Sequence, residues 1–582
     1  MRFDELAAYL ERLEATSARN ELVRILSELQ AGCSVDEIAP VTYLTQGRLA
    51  PFFAPVEIGL GERLLLTAMS MAYALPKEDV TAAYRRVGDL GMTAQELAPP
   101  VDGAPPPVVD VHRRLFEIAG TAGEGSLQRK LDLFAALLGD VDPVSAKHLV
   151  RITTGRMRLG IGDPTVLDAL SFAKRGDRSL RPLLEGAYNR TSDLGLIART
   201  MWAEGEDAVE ALHVTVGRPL RAQLAERLPN PEAVVKRLGL VGVQPKYDGF
   251  RVQIHSQGRG ERVSIFSRNL EDMTGMFPEL VGAAAALDVE SVILDGEAIA
   301  YNPESEEYLP FQETMGRRRK QGIAEFARRV PLRAFVFDVM YRDGTDLTPL
   351  PYEERLAVVQ DVVRTSETLV PAPLTKTDSA EVLTRELLEN ISLGLEGVVA
   401  KRLDSPYQAG ARNFNWVKLK RNTSGSLNDT IDVVLLGYYR GKGRRADFGA
   451  GALLGGVYDA DRDAFVTISK IGTGLSDAGW RELHATLAAL EDEHRPARVD
   501  SLLVPDAWLR PAVVVEVLAD EITPSPRHTC GKVGDGPGLA LRFPRIVSLR
   551  AEDKAAEDAT TVKEVLEMYE QQRTRQAGGG QS

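Results

Sequence analysis

An amine becomes a nucleophile when it loses its proton, and neighbouring cations or removal from water favour that state. Lys246 has candidate surroundings for this chemistry. It stands in Gln244-Pro-Lys246-Tyr-Asp248-Gly249-Phe-Arg251, after the apolar run Leu240-Val-Gly-Val and before the alternating segment Phe250-Arg-Val-Gln-Ile-His. The pattern predicts a loop between two strands, with Asp248-Gly249 as a tight turn. Arg251 is near enough to bend back, favour the uncharged amine and hold a phosphate oxygen. A Lys-x-Asp-Gly match arises by chance in about one in fifteen chains of this length. The stretch therefore has weight only in company with residues further along the chain.

Between residues 267 and 420 stands a set of groups that a nucleoside triphosphate requires. Ser267-Arg268-Asn269 ends an alternating strand and puts Arg268 at its tip. Leu294-Asp-Gly-Glu297-Ala-Ile places a carboxylate inside a strand suited to burial, where it needs a ribose hydroxyl, a metal ion or a cationic partner. Phe335-Val-Phe337-Asp338-Val alternates, so Phe337 and Asp338 are expected on opposite sides of a sheet, with Phe337 free to stack on a base. Glu396-Gly-Val-Val-Ala-Lys401 opens an apolar strand with a charge. Arg412-Asn-Phe-Asn-Trp416-Val-Lys418-Leu-Lys420 sets Trp416, Lys418 and Lys420 on one strand face. Each residue alone has an ordinary structural explanation. Together, in one region, they supply cations, carboxylates, an aromatic ring and an amine.

The elements that must position these groups change character along the chain. To about residue 210 the pattern is helical, as in Glu62–Leu75, Ser126–Leu138 and Thr165–Phe172, with a proline-rich loop over residues 99–107. From about 240 to 425, short strands such as Ser291–Ala300 and Ala334–Tyr341 mix with helices. Beyond 430 the strands Ile431–Tyr439, Ala452–Tyr458, Phe465–Ile471 and Val513–Leu518 predict a small β-barrel. A helical tail, Thr561–Gln572, follows it.

Bulk properties narrow the class. A chain of 582 residues with 44% hydrophobic content predicts several folded domains. No stretch has the uninterrupted apolar length of a membrane span, and a cytoplasmic location is expected. Cys33 and Cys530 are the only cysteines, which excludes a disulfide framework and a four-thiolate zinc site. The net charge of −13 does not favour a polyanionic partner. Phosphate binding depends on local clusters, however, and Arg317–Lys320, Lys418–Arg421 and Arg440–Arg445 are basic.

In the order and content of these motifs the chain resembles the covalent nucleotidyltransferases, specifically the ATP-dependent DNA ligases of the archaeal and eukaryotic replicative type. The similarity extends to Leu541-Arg542-Phe543-Pro544-Arg545-Ile546 near the end. It also takes in Thr154-Gly-Arg-Met-Arg-Leu-Gly-Ile-Gly-Asp163-Pro-Thr-Val-Leu-Asp in the helical half. It thus covers essentially the whole chain. The resemblance implies an all-α DNA-binding domain over 1–210 and an α+β adenylation domain of ATP-grasp-like nucleotidyltransferase type over 211–425. It further implies an oligonucleotide-binding (OB-fold) β-barrel with its helical tail over 426–582.

Carried over residue by residue, it makes Lys246 the nucleophile that takes AMP. Gln244, Arg251, Arg268, Arg412, Lys418 and Lys420 would contact the nucleotide, Glu297 its ribose, and Phe337 its adenine. Glu297 and Glu396 would hold Mg²⁺, and Arg542 and Arg545 would orient pyrophosphate. Many relatives carry Glu where Gln244 stands, so a changed side-chain contact is expected there. The implied partner is nicked duplex DNA, sealed in replication, repair or recombination by a monomer, with a sliding clamp as a further candidate partner. An RNA ligase or capping guanylyltransferase fits the long helical N-terminal region poorly. An NAD⁺-dependent ligase lacks its four-cysteine element here. A non-catalytic DNA-end scaffold is disfavoured because Lys246, Lys418 and Lys420 are all present.

Overall fold

The computed structural model describes all residues except 258–261, 301–330, 365, 393–394, 421–429, 441–448, 551–553 and 579–582. The basic run at 317–320, Arg421, and the positions 442–445 of the third cluster lie outside the described residues. The chain divides into two compact units, Met1–His213 and Val214–Ser582. Among the described residues no helix is long and apolar enough to cross a membrane.

The first unit is helical, from Phe3–Glu14 to Glu206–Glu210. Its helices form where apolar residues recur at three and four: Val108–Gly120 buries Val108, Val111, Leu115 and Ile118 in the shared core. The Thr154–Asp163 segment joins two capped helices. Asp142 accepts from the backbone amides of Val144 (2.9 Å) and Ser145 (3.1 Å) ahead of Pro143–Thr154, and Gly155 closes that helix at φ 66°. The next helix, Asp163–Arg175, starts with Pro164 in its first turn. One cluster in this unit, Glu11, Glu14 and His148, has metal-ligand spacing. It is already neutralised: Lys147 Nζ lies 2.6 Å from Glu11 and 2.7 Å from Glu14, and Arg151 lies 2.8 Å from Glu14.

The second unit opens with two sheets. In the first, β1 (Leu224–Arg227), β11 (Arg412–Lys420), β10 (Gly397–Arg402), β2 (Val241–Lys246) and β9 (Thr375–Thr377) lie side by side in that order. In the second, the order is β4 (Arg262–Ser267), β3 (Phe250–Gln257), β5 (Ser291–Ala300), β6 (Leu332–Arg342) and β7 (Thr345–Asp346), with β8 (Leu369–Pro371) beside β6. One face of the second sheet forms a core with Val252, Ile254, Leu294, Ala298, Val336 and Val339. Residues of its other face, Ile293 and Met340, pack with Tyr407 and Trp416 of the first sheet's side.

One expectation is corrected and one is not confirmed. Phe337 and Asp338 do not face opposite sides. Asp295 pairs with Asp338 but Gly296 pairs with Val336, so a β-bulge leaves Phe337 as the extra residue. Val336 and Val339 both enter the core, and the two residues between them both turn away from it. The expectation that is not confirmed concerns the C-terminal strands. Ile431–Arg440, Ala450–Asp459 and Ala464–Ile471 form an antiparallel meander, and Val514–Leu518 pairs with the first of them. The path ends in two-residue strands, Glu491–Asp492 and Val499–Asp500, which do not pair with each other, so no closed barrel is found among the described residues. Closure requires the two edges to exchange hydrogen bonds, and these two strands are not paired.

Candidate active site

Strand register alone assembles the floor of a cavity. Residues directly opposite in a sheet share a face, and every second residue along a strand returns to it. Across β2, β10 and β11 this gives three rows: Lys246–Gly397–Lys420, Gln244–Val399–Lys418 and Gly242–Lys401–Trp416. Lys246 is the last residue of β2, and not a loop residue as expected. The facing sheet contributes Arg251 from β3, Glu297 from β5 and Phe337 from β6, and all these side chains except the two glycines line one cavity.

Two glycines keep the lysine end tight. A Cβ on Gly249 would meet the carbonyl oxygen of Ala298 at 2.4 Å and Glu297 Cγ at 3.3 Å, so only glycine lets the turn approach β5. Gly397 has φ 144°, and a Cβ there would lie 2.1 Å from the Leu419 carbonyl oxygen. Its conformation sets Glu396, whose backbone amide donates to the Lys246 carbonyl at 3.2 Å.

Charge at this end is dense. Glu396 forms an ion pair with Lys246, and Lys420 Nζ lies 3.6 Å from the same carboxylate. Burial would raise the Glu396 pKa, but these two lysines outweigh it and hold the group well below the usual carboxylate range. Glu297 is pushed up to about 7, first by burial and further by Asp248 and Glu396, against the pull of Lys246 and Arg251. Asp248 is likewise raised by burial and by Glu396. Three carboxylates thus crowd one lysine. That oxygen donor set fits Mg²⁺, which binds through one or two carboxylates together with phosphate oxygens.

The sequence-predicted cations differ in their engagement. Arg251 is braced: Nε and Nη2 donate to Asp295 at 3.0 and 2.7 Å, and Nη1 donates to the Gln223 carbonyl at 2.9 Å. Arg268 lines the cavity with a buried Nε that has no hydrogen-bond partner among the described residues. Arg412 forms an ion pair with Glu564 of the helix Val562–Gly578, and Lys418 Nζ lies 4.0 Å from the same carboxylate. Burial and the flanking Arg227 and Arg412 push the Lys418 pKa down. Arg542 and Arg545 are not brought to the cavity. Both are exposed, and Arg545 faces Asp520 at 3.3 Å.

At the other end Phe337 meets Trp416 edge to face with ring centres 5.9 Å apart. Trp416 is buried, and its Nε1 has no hydrogen-bond partner among the described residues. Gln244 is held within the protein. Its Nε2 donates to the Ala372 carbonyl at 3.3 Å, and its Oε1 accepts from the Tyr352 hydroxyl at 2.8 Å.

Sequence reasoning missed several lining residues. Lys401 and Val399 were legible, because they lie four and two residues after Gly397 on one face of β10. Arg227, Asp432, Arg550, Lys554 and Glu564 carried no local signal, since they reach the cavity only through long-range packing.

Comparison with known proteins places these features in a family. The DNA ligase N terminus family matches residues 2–171, the ATP dependent DNA ligase domain residues 222–420, and the ATP dependent DNA ligase C terminal region residues 445–554. A "Probable DNA ligase" of Dictyoglomus turgidum is 47% identical, covering 98% of each chain. A "DNA ligase" of Sulfolobus acidocaldarius is 39% identical, again covering 98% of each. A "Probable DNA ligase" of Aquifex aeolicus is 39% identical across 98% of this chain and 99% of the relative.

Proposed function

Since this chain belongs to the ATP-dependent DNA ligases, we propose how its residues divide the reaction that seals a nick. The enzyme is an ATP-dependent DNA ligase acting through a lysyl-AMP intermediate. The observation that carries the assignment of roles is the row Lys246–Gly397–Lys420, which sets the nucleophile beside a second amine and Glu396 on one sheet face.

In the first step Lys246 Nζ attacks the α-phosphorus of ATP, the bond to the β-phosphate oxygen breaks, and pyrophosphate leaves. Arg268, Arg412, Lys418 and Lys420 offset charge on the phosphates. Glu396 holds the Lys246 amine in place through their ion pair, and the amine gives its proton to solvent before it attacks. Phe337 stacks on adenine and Glu297 accepts from the ribose. Glu297 and Glu396 would hold Mg²⁺, which would supply further charge neutralisation. AMP then passes from the lysine to a 5′-phosphate at the nick. Last, the 3′-hydroxyl attacks that phosphate, a phosphodiester forms and AMP leaves.

The three-domain division at 210 and 425 extends this reading, with the C-terminal strands taken as an OB-fold that carries Arg542 and Arg545 to the pyrophosphate when it moves. Monomeric action on nicked duplex DNA in replication, repair or recombination belongs to it as well. So do a sliding clamp as an additional partner and a cytoplasmic location beside the nucleoid. The test is direct. Incubation with ATP labelled at the α-phosphate should tag the wild-type chain and leave Lys246→Ala untagged. Tagging that survives in the variant overturns the assignment.

A further inference from the structure

Tyr247 shares a peptide unit with Lys246 and is buried. Its ring lies face to face on Phe335, with centres 4.2 Å apart and planes 12° from parallel. The two rings belong to a small apolar cluster with Ile299, Ala372 and Leu395. A stacked aromatic pair has a preferred geometry, so it sets the spacing of the two backbones that carry it. Here one backbone holds the nucleophile and the other is β6 of the facing sheet.

The partners of Tyr247 in this cluster each adjoin a group of the cavity. Leu395 precedes Glu396 in the chain. Ile299 lies two residues past Glu297 on β5 and so shares its face, and Phe335 is directly opposite Glu297 on β6. The Ala372 carbonyl accepts from Gln244 at 3.3 Å. Lys246 itself is the last residue of β2, and the next strand begins only at Phe250. Two anchors flank the nucleophile at this strand end: the Glu396 amide, which donates to the Lys246 carbonyl at 3.2 Å, and the Tyr247 stack. If position 247 needed only apolar filling, a leucine would serve as well as an aromatic ring.

We propose that Tyr247 is a positioning residue for lysine adenylation: by stacking on Phe335 it fixes the Lys246 backbone relative to Glu297 and Glu396, so that the amine meets the α-phosphorus in line. This rests on the adenylation reading of the cavity. A reacting atom misplaced by about 1 Å can lose on the order of a hundredfold in rate. Arg412 and Lys418 stand on β11 and Arg268 follows β4, so the phosphate cations are carried by other strands. Loss of the stack should therefore slow the chemical step and leave ATP binding nearly intact.

The experiment measures single-turnover tagging of the full chain against concentration of α-phosphate-labelled ATP, beside sealing of a nick that already carries the 5′-adenylate. Tyr247→Leu should lower the maximal tagging rate about tenfold or more, while the ATP concentration giving half that rate moves by less than about threefold. Tyr247→Phe keeps the ring and should tag at nearly the wild-type rate. Sealing of the preadenylated nick makes no bond to Lys246 and should stay within about threefold of wild type in both variants. Phe335→Leu removes the stack from the other strand and should show the same split, with the double variant no slower than the slower single one. It carries the test if Tyr247→Leu does not fold. Wild-type tagging by Tyr247→Leu overturns the proposal. So does a Tyr247→Phe chain as slow as Tyr247→Leu, which assigns the effect to the hydroxyl, and so does an equal fall in tagging and sealing, the result for general loss of packing. Absence of tagging in wild type is a different outcome and removes the adenylation reading itself.

Discussion

The carboxylate of Glu564, on the C-terminal helix, is paired with the Arg412 guanidinium and stands 4.0 Å from Lys418 Nζ. It therefore occupies cationic positions assigned to the nucleotide phosphates. Phosphate and Glu564 are competing anions for one pair of cations. Glu564→Gln should lower the KM for ATP in lysyl-AMP formation, on the order of tenfold if one charge's interaction is released. An unchanged KM in a tagging assay means that the helix leaves the cavity before ATP arrives.

The same carboxylate predicts a pH dependence of stability. Burial disfavours its charge, but Arg412 and Lys418 prevail and bring the pKa from the ordinary 4.5 to about 2. The folded state then binds fewer protons than the unfolded one between these values. Its stabilising contribution is complete above 4.5 and is lost as pH falls towards 2. Urea titrations across that window should show wild type losing on the order of 3 kcal/mol that Glu564→Gln does not lose.

Gly397 lies between Lys246 and Lys420 in their row across the sheet. Gly397→Ala forces φ 144° on a residue with a Cβ and drives that atom to 2.1 Å from the Leu419 carbonyl oxygen. The expected loss of stability is about 2 kcal/mol or more, together with a fall in tagging rate as Glu396 shifts from Lys246. Thermal melts and labelled-ATP kinetics on the same sample separate the two effects.

Asp338 and Arg355 form a fully buried pair, with Nε and Nη2 donating at 2.7 and 3.0 Å and side-chain exposure of 0% on both. Arg355→Met strands the carboxylate and should cost about 3–5 kcal/mol in denaturant unfolding. Asp338→Leu combined with Arg355→Met should recover much of that loss. A double variant as unstable as the single one would show that the cost is packing and not charge.

Much of the site was legible because it obeys strand alternation. Lys418 and Lys420 lie on one face because they are two apart, and Glu396 meets Lys246 because each sits at a strand end. Phe337 was correctly assigned to the cavity, but Asp338 was sent to the wrong side. A bulge is created by pairing with β5, which β6 does not encode in its own alternation. Gln244 illustrates the other limit. Its type was visible, yet its role as a brace to Tyr352 and Ala372 depends on residues far along the chain.

By itself the sequence determined which groups are present and in what order: lysines, arginines, carboxylates and an aromatic ring, in an order shared with one enzyme family. Local patterns suffice for that, because residue type and period depend only on near neighbours. The tertiary structure alone decided which cations are free and which are already held. Arg251 is spent on Asp295, Arg412 on Glu564, and Arg542 and Arg545 lie outside the cavity. Those outcomes depend on which distant charges the packing brings within a few ångströms, and Coulomb attraction acts on distance in space, not on separation along the chain.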